Sequence, residues 1–216
     1  MPADVTQKVL QEFSKYPKRS YPKGQILIFG DENPEHIYYL LSGKVREYAI
    51  SYRGDEIIVN IFKPPAFFPI SWAINHTPNV YFFKTEEPTE LHVIPEGAAL
   101  EFITHNPDVM LDLLSRVYKG MNGLLGRIVH LMSGTAKSRL IYELLIEGRR
   151  FGTGDNKGRY KLNISEVDLA ARSGLSRETV SREMQKLKDS KLVSLDGKTL
   201  VMQDVSILEK MLGSEI

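Results

Sequence analysis

The chain has 216 residues, 42% of them hydrophobic and 25% charged, with a formal net charge of +1. These values are typical of a soluble globular protein with one large or two modest domains. No run approaches the roughly 18 apolar residues that cross a bilayer, and the N-terminus lacks a signal-peptide core. The absence of cysteine excludes disulfides and thiolate metal sites, and a cytoplasmic protein is the simplest expectation.

Charge is distributed unevenly along the chain. Residues 1–134 hold 13 Lys and Arg against 15 Asp and Glu, whereas residues 135–216 hold 15 against 12. A basic excess favours contact with a polyanion such as DNA. The excess is modest and indicates little by itself, but it coincides with the DNA-reading element described below.

The N-terminal half is predicted to be one helix followed by many short strands. Residues 3–16 form an amphipathic helix with apolar positions at Val5, Val9, Leu10 and Phe13. The predicted strands, which are rich in Ile, Val, Tyr and Phe, are Gln25–Phe29, His36–Leu41, Lys44–Ser51, Ile57–Phe62 and Leu91–Ile94. Short strands at fairly even spacing, separated by Gly, Pro, Asp and Asn, predict an all-β sandwich or barrel.

An unusually aromatic stretch follows the fourth of these strands. Its large side chains are Phe67, Phe68, Ile70, Trp72, Ile74, Tyr81, Phe82 and Phe83. One interpretation is that these side chains fill the interior as core. The other is a pocket for an apolar or aromatic effector, or for haem with His76 as an axial ligand.

A long helix is predicted from Pro107, after Asn106 as its cap, to about Ser133. One apolar line along it, with alternating spacings of four and three, consists of Leu114, Tyr118, Met121, Leu125, Ile128 and Met132. A second line, predicted to face the β domain, consists of Leu113, Val117, Leu124 and Leu131. Burial of both lines requires a partner, so the first line predicts a coiled-coil seam in a homodimer.

Three glycines interrupt this helix at intervals of three: Gly120, Gly123 and Gly126. Each costs up to about 1 kcal/mol relative to alanine in a helix interior. Close approach of a partner helix would explain them, and so would flexibility needed for switching. The sequence leaves both explanations open.

The C-terminal part begins at a hinge, Ser133-Gly134, and a helix over Thr135–Arg150. The loop 152–158 is glycine-rich, but it lacks the Gly-Lys-Ser/Thr ending of a nucleotide-binding P-loop. Predicted wing strands, with Asp196-Gly197 as a hairpin turn, are Tyr160–Leu162, Val193–Leu195 and Leu200–Met202. A short final helix follows.

Between these wing strands, residues 163–192 are predicted to form two short helices joined by a tight turn. Ser165 and Ser176 are suited to cap the two helices, and Gly174 can adopt the positive φ that the turn requires. The predicted buried side chains are Val167, Leu169, Ala170 and Ala171 in the first helix and Val180, Met184 and Leu187 in the second.

The outer face of the second helix has the chemistry of a DNA reader. Arg177, Glu178, Ser181 and Arg182 are predicted to contact base edges, since Arg can bind guanine and Glu can accept from cytosine. The predicted phosphate contacts, which position the helix without reading sequence, are Ser165, Ser176, Thr179 and Lys188. The alternative is the solvated charged face of an ordinary helical hairpin.

Two segments together carry a family resemblance. Residues 21–68 resemble the β-roll of cyclic-nucleotide-binding domains, with Gly24, Gly30, Gly43 and Gly54 at the family's turn glycines. With the helical hairpin, the chain resembles the CRP/FNR family of transcription regulators over nearly its whole length. The resemblance implies an α+β fold with a β-roll (1–105), a dimerisation helix and hinge (106–134) and a winged helix-turn-helix (135–216).

This resemblance implies a dimeric DNA-binding transcription regulator. Segment 176–182 is similar to the recognition helix of the catabolite activator type, which implies a palindrome with TGTGA-like half-sites. The implied partners are double-stranded DNA, a second copy of the chain and, for an activator, RNA polymerase, with no membrane involved.

The family's cyclic-AMP contacts are missing from this sequence. The Gly-Glu pair for the ribose falls on Pro69 and Ile70, and the Arg-Ser or Arg-Ala pair for the cyclic phosphate falls near Asn79 and Val80. The polar base-contacting pair falls near Leu124 and Leu125. A buried phosphate would lack a cation, so no ordinary cyclic-AMP response is expected. The altered effector pocket comprises Phe68, Pro69, Ile70, Trp72, Asn79, Val80, Tyr81, Leu124 and Leu125.

A small-molecule sensor whose DNA binding requires an apolar or aromatic effector, or haem, is the alternative. An enzyme is not expected, because the five histidines lack metal-ligand spacing and the sequence has no Gly-x-Ser-x-Gly elbow. No metal site and no catalytic residue are predicted.

Overall fold

The computed structural model describes residues 1–156, 158–197 and 199–213. The chain forms two compact units, Met1–Tyr118 and Lys119–Ile216, which divide within one long helix. None of the described helices combines the length and apolar character needed to cross a membrane. The architecture is the predicted α+β fold.

The N-terminal unit is a β-roll flanked by helices. Its strands are β1 (Lys18–Tyr21), β2 (Ile26–Ile28), β3 (His36–Ser42), β4 (Val45–Ile50), β5 (Glu56–Phe62), β6 (Ala66–Phe68), β7 (Phe82–Thr85) and β8 (Thr89–Pro95). Its helices are α1 (Ala3–Phe13), α2 (Ile70–Asn75), α3 (Glu96–His105) and the first part of α4 (Pro107–Ser133). The strands form two antiparallel sheets, in the orders β1-β8-β3-β6 and β2-β7-β4-β5.

Strand β3 contributes to two separate cores. Ile37 and Tyr39 pack with α1, α3 and the start of α4, whereas Leu40 lies in a second core with Val45 and Phe83 of the other sheet. Successive side chains of a strand point to opposite faces. A strand buried on both faces therefore has the continuous apolar run seen at residues 37–41.

The C-terminal unit is a winged helix-turn-helix on a three-helix core. After the end of α4 it contains α5 (Ala136–Phe151), β9 (Thr153–Gly154), β10 (Tyr160–Leu162), α6 (Glu166–Ser173), α7 (Arg177–Asp189), β11 (Val193–Asp196), β12 (Thr199–Met202) and α8 (Val205–Leu212). The strands form one antiparallel sheet, in the order β11-β12-β10-β9. Leu140, Ile141, Leu144 and Leu145 of α5 are buried at its centre.

The end of α4 is held against α5 by polar contacts. The guanidinium of Arg127 donates to the carboxylate of Glu143, with Nη2 3.0 Å from Oε2. The hydroxyl of Tyr142 donates to the carbonyl of Gly123 at 2.9 Å. A Cβ on Gly126 would lie 2.1 Å from that hydroxyl. Gly126 therefore makes room for Tyr142 of the same chain, an explanation that the sequence did not suggest. Within the part of the chain that the structure describes, no neighbouring atom lies within 4 Å of the Cβ positions of Gly120 and Gly123.

Two predicted apolar faces are wrong in part. In the second line of α4, Leu113 packs against the core beside α1, but Val117, Leu124 and Leu131 are exposed. The physical reason is that only the start of α4, at Val109, is buried. In α6, Leu169 is buried but Val167 is 57% exposed. The reason is that only one narrow face of this short helix packs against the core.

Candidate functional site

The helix pair α6 and α7 is fixed locally by its caps. The hydroxyl oxygen of Ser165 accepts from the backbone N–H of Asp168 at 3.1 Å, and that of Ser176 accepts from Thr179 at 3.2 Å. Gly174 ends α6 with φ +64°. These contacts confirm both predicted caps and the predicted turn. Each cap satisfies an N–H that would otherwise lack a partner at a helix N-terminus.

The buried side of α7 determines which residues face outward. Val180, Met184 and Leu187 are buried in the core of the C-terminal unit. A helix with one buried stripe presents its opposite face to solvent. Correspondingly, all four predicted base-reading residues are exposed: Arg177, Glu178, Ser181 and Arg182.

The exposed face combines cations with one ionised carboxylate. The backbone N–H of Glu178, at the start of α7, holds the pKa of its carboxyl group below its usual value. Glu178 is therefore an acceptor at neutral pH. Arg182 lies 3.7 Å from Glu183, too far for a hydrogen bond, so its guanidinium is free to donate elsewhere.

The predicted phosphate contacts have different local roles. The hydroxyls of Ser165 and Ser176 are engaged as caps and also donate to Asp168 and Thr179, respectively. Thr179 and Lys188 are partly buried. The N-terminal ends of α6 and α7 still present backbone N–H groups, which suit an anion such as phosphate.

An ion pair that the sequence analysis missed anchors α6 on α5. Arg172 donates to the carboxylate of Glu147, and the two side chains are only 8% and 9% exposed. The signal available in the sequence was a charged residue three positions after Leu169, on the apolar side of α6. The pair holds the first helix of the motif against the core, and so indirectly positions α7.

The predicted dimer seam of α4 is a continuous exposed apolar surface. Its members are Leu114, Tyr118, Met121, Leu125, Ile128 and Met132, each at least 45% exposed. The exposed residues of the second line lie next to this seam. In heptad notation the seam residues occupy positions a and d, and Val117, Leu124 and Leu131 occupy the adjacent position g. Apart from Leu113, the residues of both lines are exposed to water in the single chain.

The interior of the β-roll is filled by stacked rings. Phe68 stacks on Phe83, with centroids 5.5 Å apart, and on Tyr38 at 5.4 Å, while Phe62 lies 5.1 Å from it. Phe67 and Ile70 are also buried. The interpretation as core is confirmed for these residues.

The other residues of the aromatic stretch and of the predicted effector pocket differ in exposure. Pro69 is buried and Trp72 and Tyr81 are partly buried, whereas Ile74, Val80, Leu124 and Leu125 are exposed. The amide of Asn79 donates to the carbonyls of Phe29 and Tyr81 at 2.9 and 2.8 Å. These hydrogen bonds stabilise the surrounding loop. His76 is exposed at the C-terminal end of α2.

A carboxyl group inside the β-roll was missed by the sequence analysis. Glu47 of β4 lies opposite Asn60 of β5 and Phe83 of β7 in the sheet register. Directly paired residues share a face, and Phe83 points into the core, so Glu47 is on the inward face of its strand, where its side chain is partly buried. Burial raises the pKa of Glu47 to about 7, although a hydrogen bond from Asn60 opposes this shift. The sequence did contain a signal for this orientation: Glu47 follows Val45 by two residues, and residues two apart on a strand point to the same face.

This carboxyl group makes stability depend on pH. An unfolded Glu has a pKa of about 4.3, so folding takes up a proton between that value and 7, and the free energy of unfolding falls as pH rises through this window. We expect Glu47→Gln to leave stability unchanged at pH 4 and to raise it by about 1–3 kcal/mol at pH 8. Urea unfolding at both values checks this. Glu101→Gln, exposed on α3, is the control, and equal effects of Glu47→Gln at the two pH values would contradict the expectation.

Comparison with known proteins agrees with this architecture. Residues 18–106 match the family described as cyclic nucleotide-binding domain, and residues 138–211 match the Crp-like helix-turn-helix domain. The chain is 25% identical over 183 residues to the cAMP-activated global transcriptional regulator CRP of Pasteurella multocida, covering 84% of this chain and 88% of that protein. It is 22% identical over 198 residues to the fumarate and nitrate reduction regulatory protein of Yersinia pestis, covering 91% and 79%.

A solved structure shows the same fold. The structure of a CooA mutant from Carboxydothermus hydrogenoformans superposes with a TM-score of 0.80 at 20% identity, covering 95% of this chain and 94% of that one.

Proposed function

Because this chain belongs to the CRP/FNR family of DNA-binding transcription regulators, we propose that it works in the cytoplasm as a homodimer that reads a palindrome with TGTGA-like half-sites. The observation that carries this proposal is the exposed face of α7, from Arg177 to Arg182, on a helix that is capped and buried on its other side. A rigid helix with an exposed N-terminal face is what insertion into the major groove requires.

Each side chain of this face has a base that it suits. Arg177 and Arg182 can each donate two hydrogen bonds to O6 and N7 of guanine, and ionised Glu178 can accept from N4 of cytosine. The side chain of Ser181, which lies between Glu178 and Arg182 in the sequence, is short, and its hydroxyl can donate or accept a hydrogen bond. Two such helices related by a two-fold axis would contact half-sites about one helical turn apart.

Arg182 and Lys188 provide a test of these roles. We expect Arg182→Ala to lose about 1–3 kcal/mol of discrimination against a wrong base at one position of each half-site. Lys188→Ala should instead weaken cognate and random DNA alike, because phosphate contacts carry no sequence information. Titration of both variants against cognate, mismatched and random duplexes measures this. Equal losses on all three duplexes for Arg182→Ala would contradict its role.

We propose that control does not operate through cyclic AMP. The ring stack around Phe68 occupies the interior of the roll, and the carboxyl group of Glu47, in its ionised form above pH 7, adds unfavourable charge for a cyclic phosphate. Calorimetry with cyclic AMP is expected to show no micromolar binding, and a micromolar site would contradict this.

The filled roll favours DNA binding without an added ligand. In vitro selection with the untreated protein is therefore expected to enrich a palindrome. Failure to enrich one would instead favour the alternative, a sensor whose DNA binding requires an apolar or aromatic effector.

A further inference from the structure

Gln185 lies in the middle of the face that carries the proposed base-reading residues. Helical geometry of 3.6 residues per turn places it only about 20° around the axis from Glu178, between the directions of Ser181 and Arg182. It is fully on the exposed side of α7.

Gln185 lies closer to the C-terminal end of α7 than the other proposed base-reading residues. Gln185 lies seven residues beyond Glu178, which is about 10 Å along the axis. Base pairs are spaced by about 3.4 Å, so this distance corresponds to roughly three base-pair steps. A side chain there would meet a base pair beyond the one that Glu178 contacts.

The amide of Gln185 is oriented by the last residue of α7. Its Nε2 donates a hydrogen bond to Oδ1 of Asp189 at 2.8 Å. A carboxylate only accepts hydrogen bonds, so the nitrogen, and not the oxygen, must face Asp189. This leaves Oε1 and the second N–H of Nε2 for a further partner.

That pair of groups matches one base in the major groove. Adenine presents an N6 donor beside an N7 acceptor, which an acceptor and a donor on one amide can bind together. Guanine presents two acceptors, cytosine a donor, and thymine one acceptor and a methyl group. The available acceptor and donor of Gln185 therefore select adenine.

We propose that Gln185 is a further specificity-determining residue that selects one adenine in each half-site, and that Asp189 is its positioning residue. This inference rests on the proposed DNA-binding function. It adds a base to those implied by Arg177, Glu178 and Arg182.

In vitro selection with the full chain and matched variants tests it. The wild-type protein is expected to enrich an adenine at one symmetric position, with a loss of about 5- to 150-fold in affinity when that base is changed. Gln185→Ala should lose this preference at that position alone. Gln185→Glu should replace adenine by cytosine there, because a carboxylate accepts from cytosine N4.

Asp189→Ala distinguishes positioning from a structural role. It should weaken the preference at the Gln185 position while the other positions keep theirs, and it should add nothing to Gln185→Ala. An equal loss at every position would overturn the positioning role.

The outcomes separate this inference from the function on which it rests. A wild-type motif that Gln185→Ala leaves unchanged overturns the role of Gln185 alone. A wild-type protein that enriches no motif without added ligand overturns the proposed ligand-independent reading of a palindrome, and the role of Gln185 with it. Circular dichroism checks that the variants fold, which is expected because Gln185 is exposed.

Discussion

Substituting glutamate for both Leu125 and Ile128 of α4 is expected to convert the proposed dimer into monomers and to abolish tight binding to the proposed palindrome. The two side chains are 55% and 49% exposed in the single chain and lie on the proposed seam. In a coiled coil such positions insert into the partner helix. Each substitution would bury an unpaired charge there, which is strongly unfavourable.

The loss of DNA affinity follows from the geometry of two half-sites. Joining two reading helices makes the second contact intramolecular, which raises affinity by about 100- to 10,000-fold. A monomer loses this gain even when its own α7 is intact. Sedimentation gives the oligomeric state, and titration against the full palindrome gives the affinity.

A matched control distinguishes the effect of disrupting the seam from the effect of adding negative charge to α4. Lys119→Glu places a glutamate on the same helix at an exposed position off the seam, and it is expected to stay dimeric. A Leu125→Glu, Ile128→Glu variant that remains a dimer and binds the palindrome at wild-type affinity would refute the seam.

The second large effect is expected from Arg172→Met. This substitution leaves the carboxylate of Glu147, only 9% exposed, without the cation that donates to it. Removing one partner of a buried ion pair typically costs about 3–5 kcal/mol. That is a large share of the stability of a domain of this size, and because α6 supports α7, DNA binding should fall with it.

Replacing both partners should restore most of the stability. The double variant Arg172→Met, Glu147→Leu removes the buried charge altogether, which is often neutral or stabilising. Arg159→Met is the control, since its pair with Asp155 is well exposed and should contribute at most about 1 kcal/mol. Urea unfolding monitored by circular dichroism measures all three. A loss for Arg172→Met no larger than that of the control would show that the pair is not important.

The features that the sequence predicted well depend on near neighbours. The helix from Pro107 to Ser133 was predicted with the bounds that α4 has, because Pro107 at its first position and its apolar periodicity lie within the segment. Asn106, the predicted cap, instead ends α3, and its side-chain amide donates to the carbonyl of Phe102 at 2.8 Å. Ser165, Gly174 and Ser176 were also predicted correctly, since caps and tight turns involve residues within about four positions. The strands β1, β6 and β7 were missed because they are short and form only when paired with distant strands.

The sequence by itself determined the extent of α4, the apolar line along it and the exposed charged face of α7, because helical periodicity and capping depend on residues that are close in sequence. Only the tertiary structure decided that Gly126 accommodates Tyr142, that Arg172 pairs with Glu147 and that Glu47 faces the interior beside Asn60. Each of these contacts joins residues at least 13 positions apart. Such pairs form only when packing brings the elements together, so no local pattern specifies them.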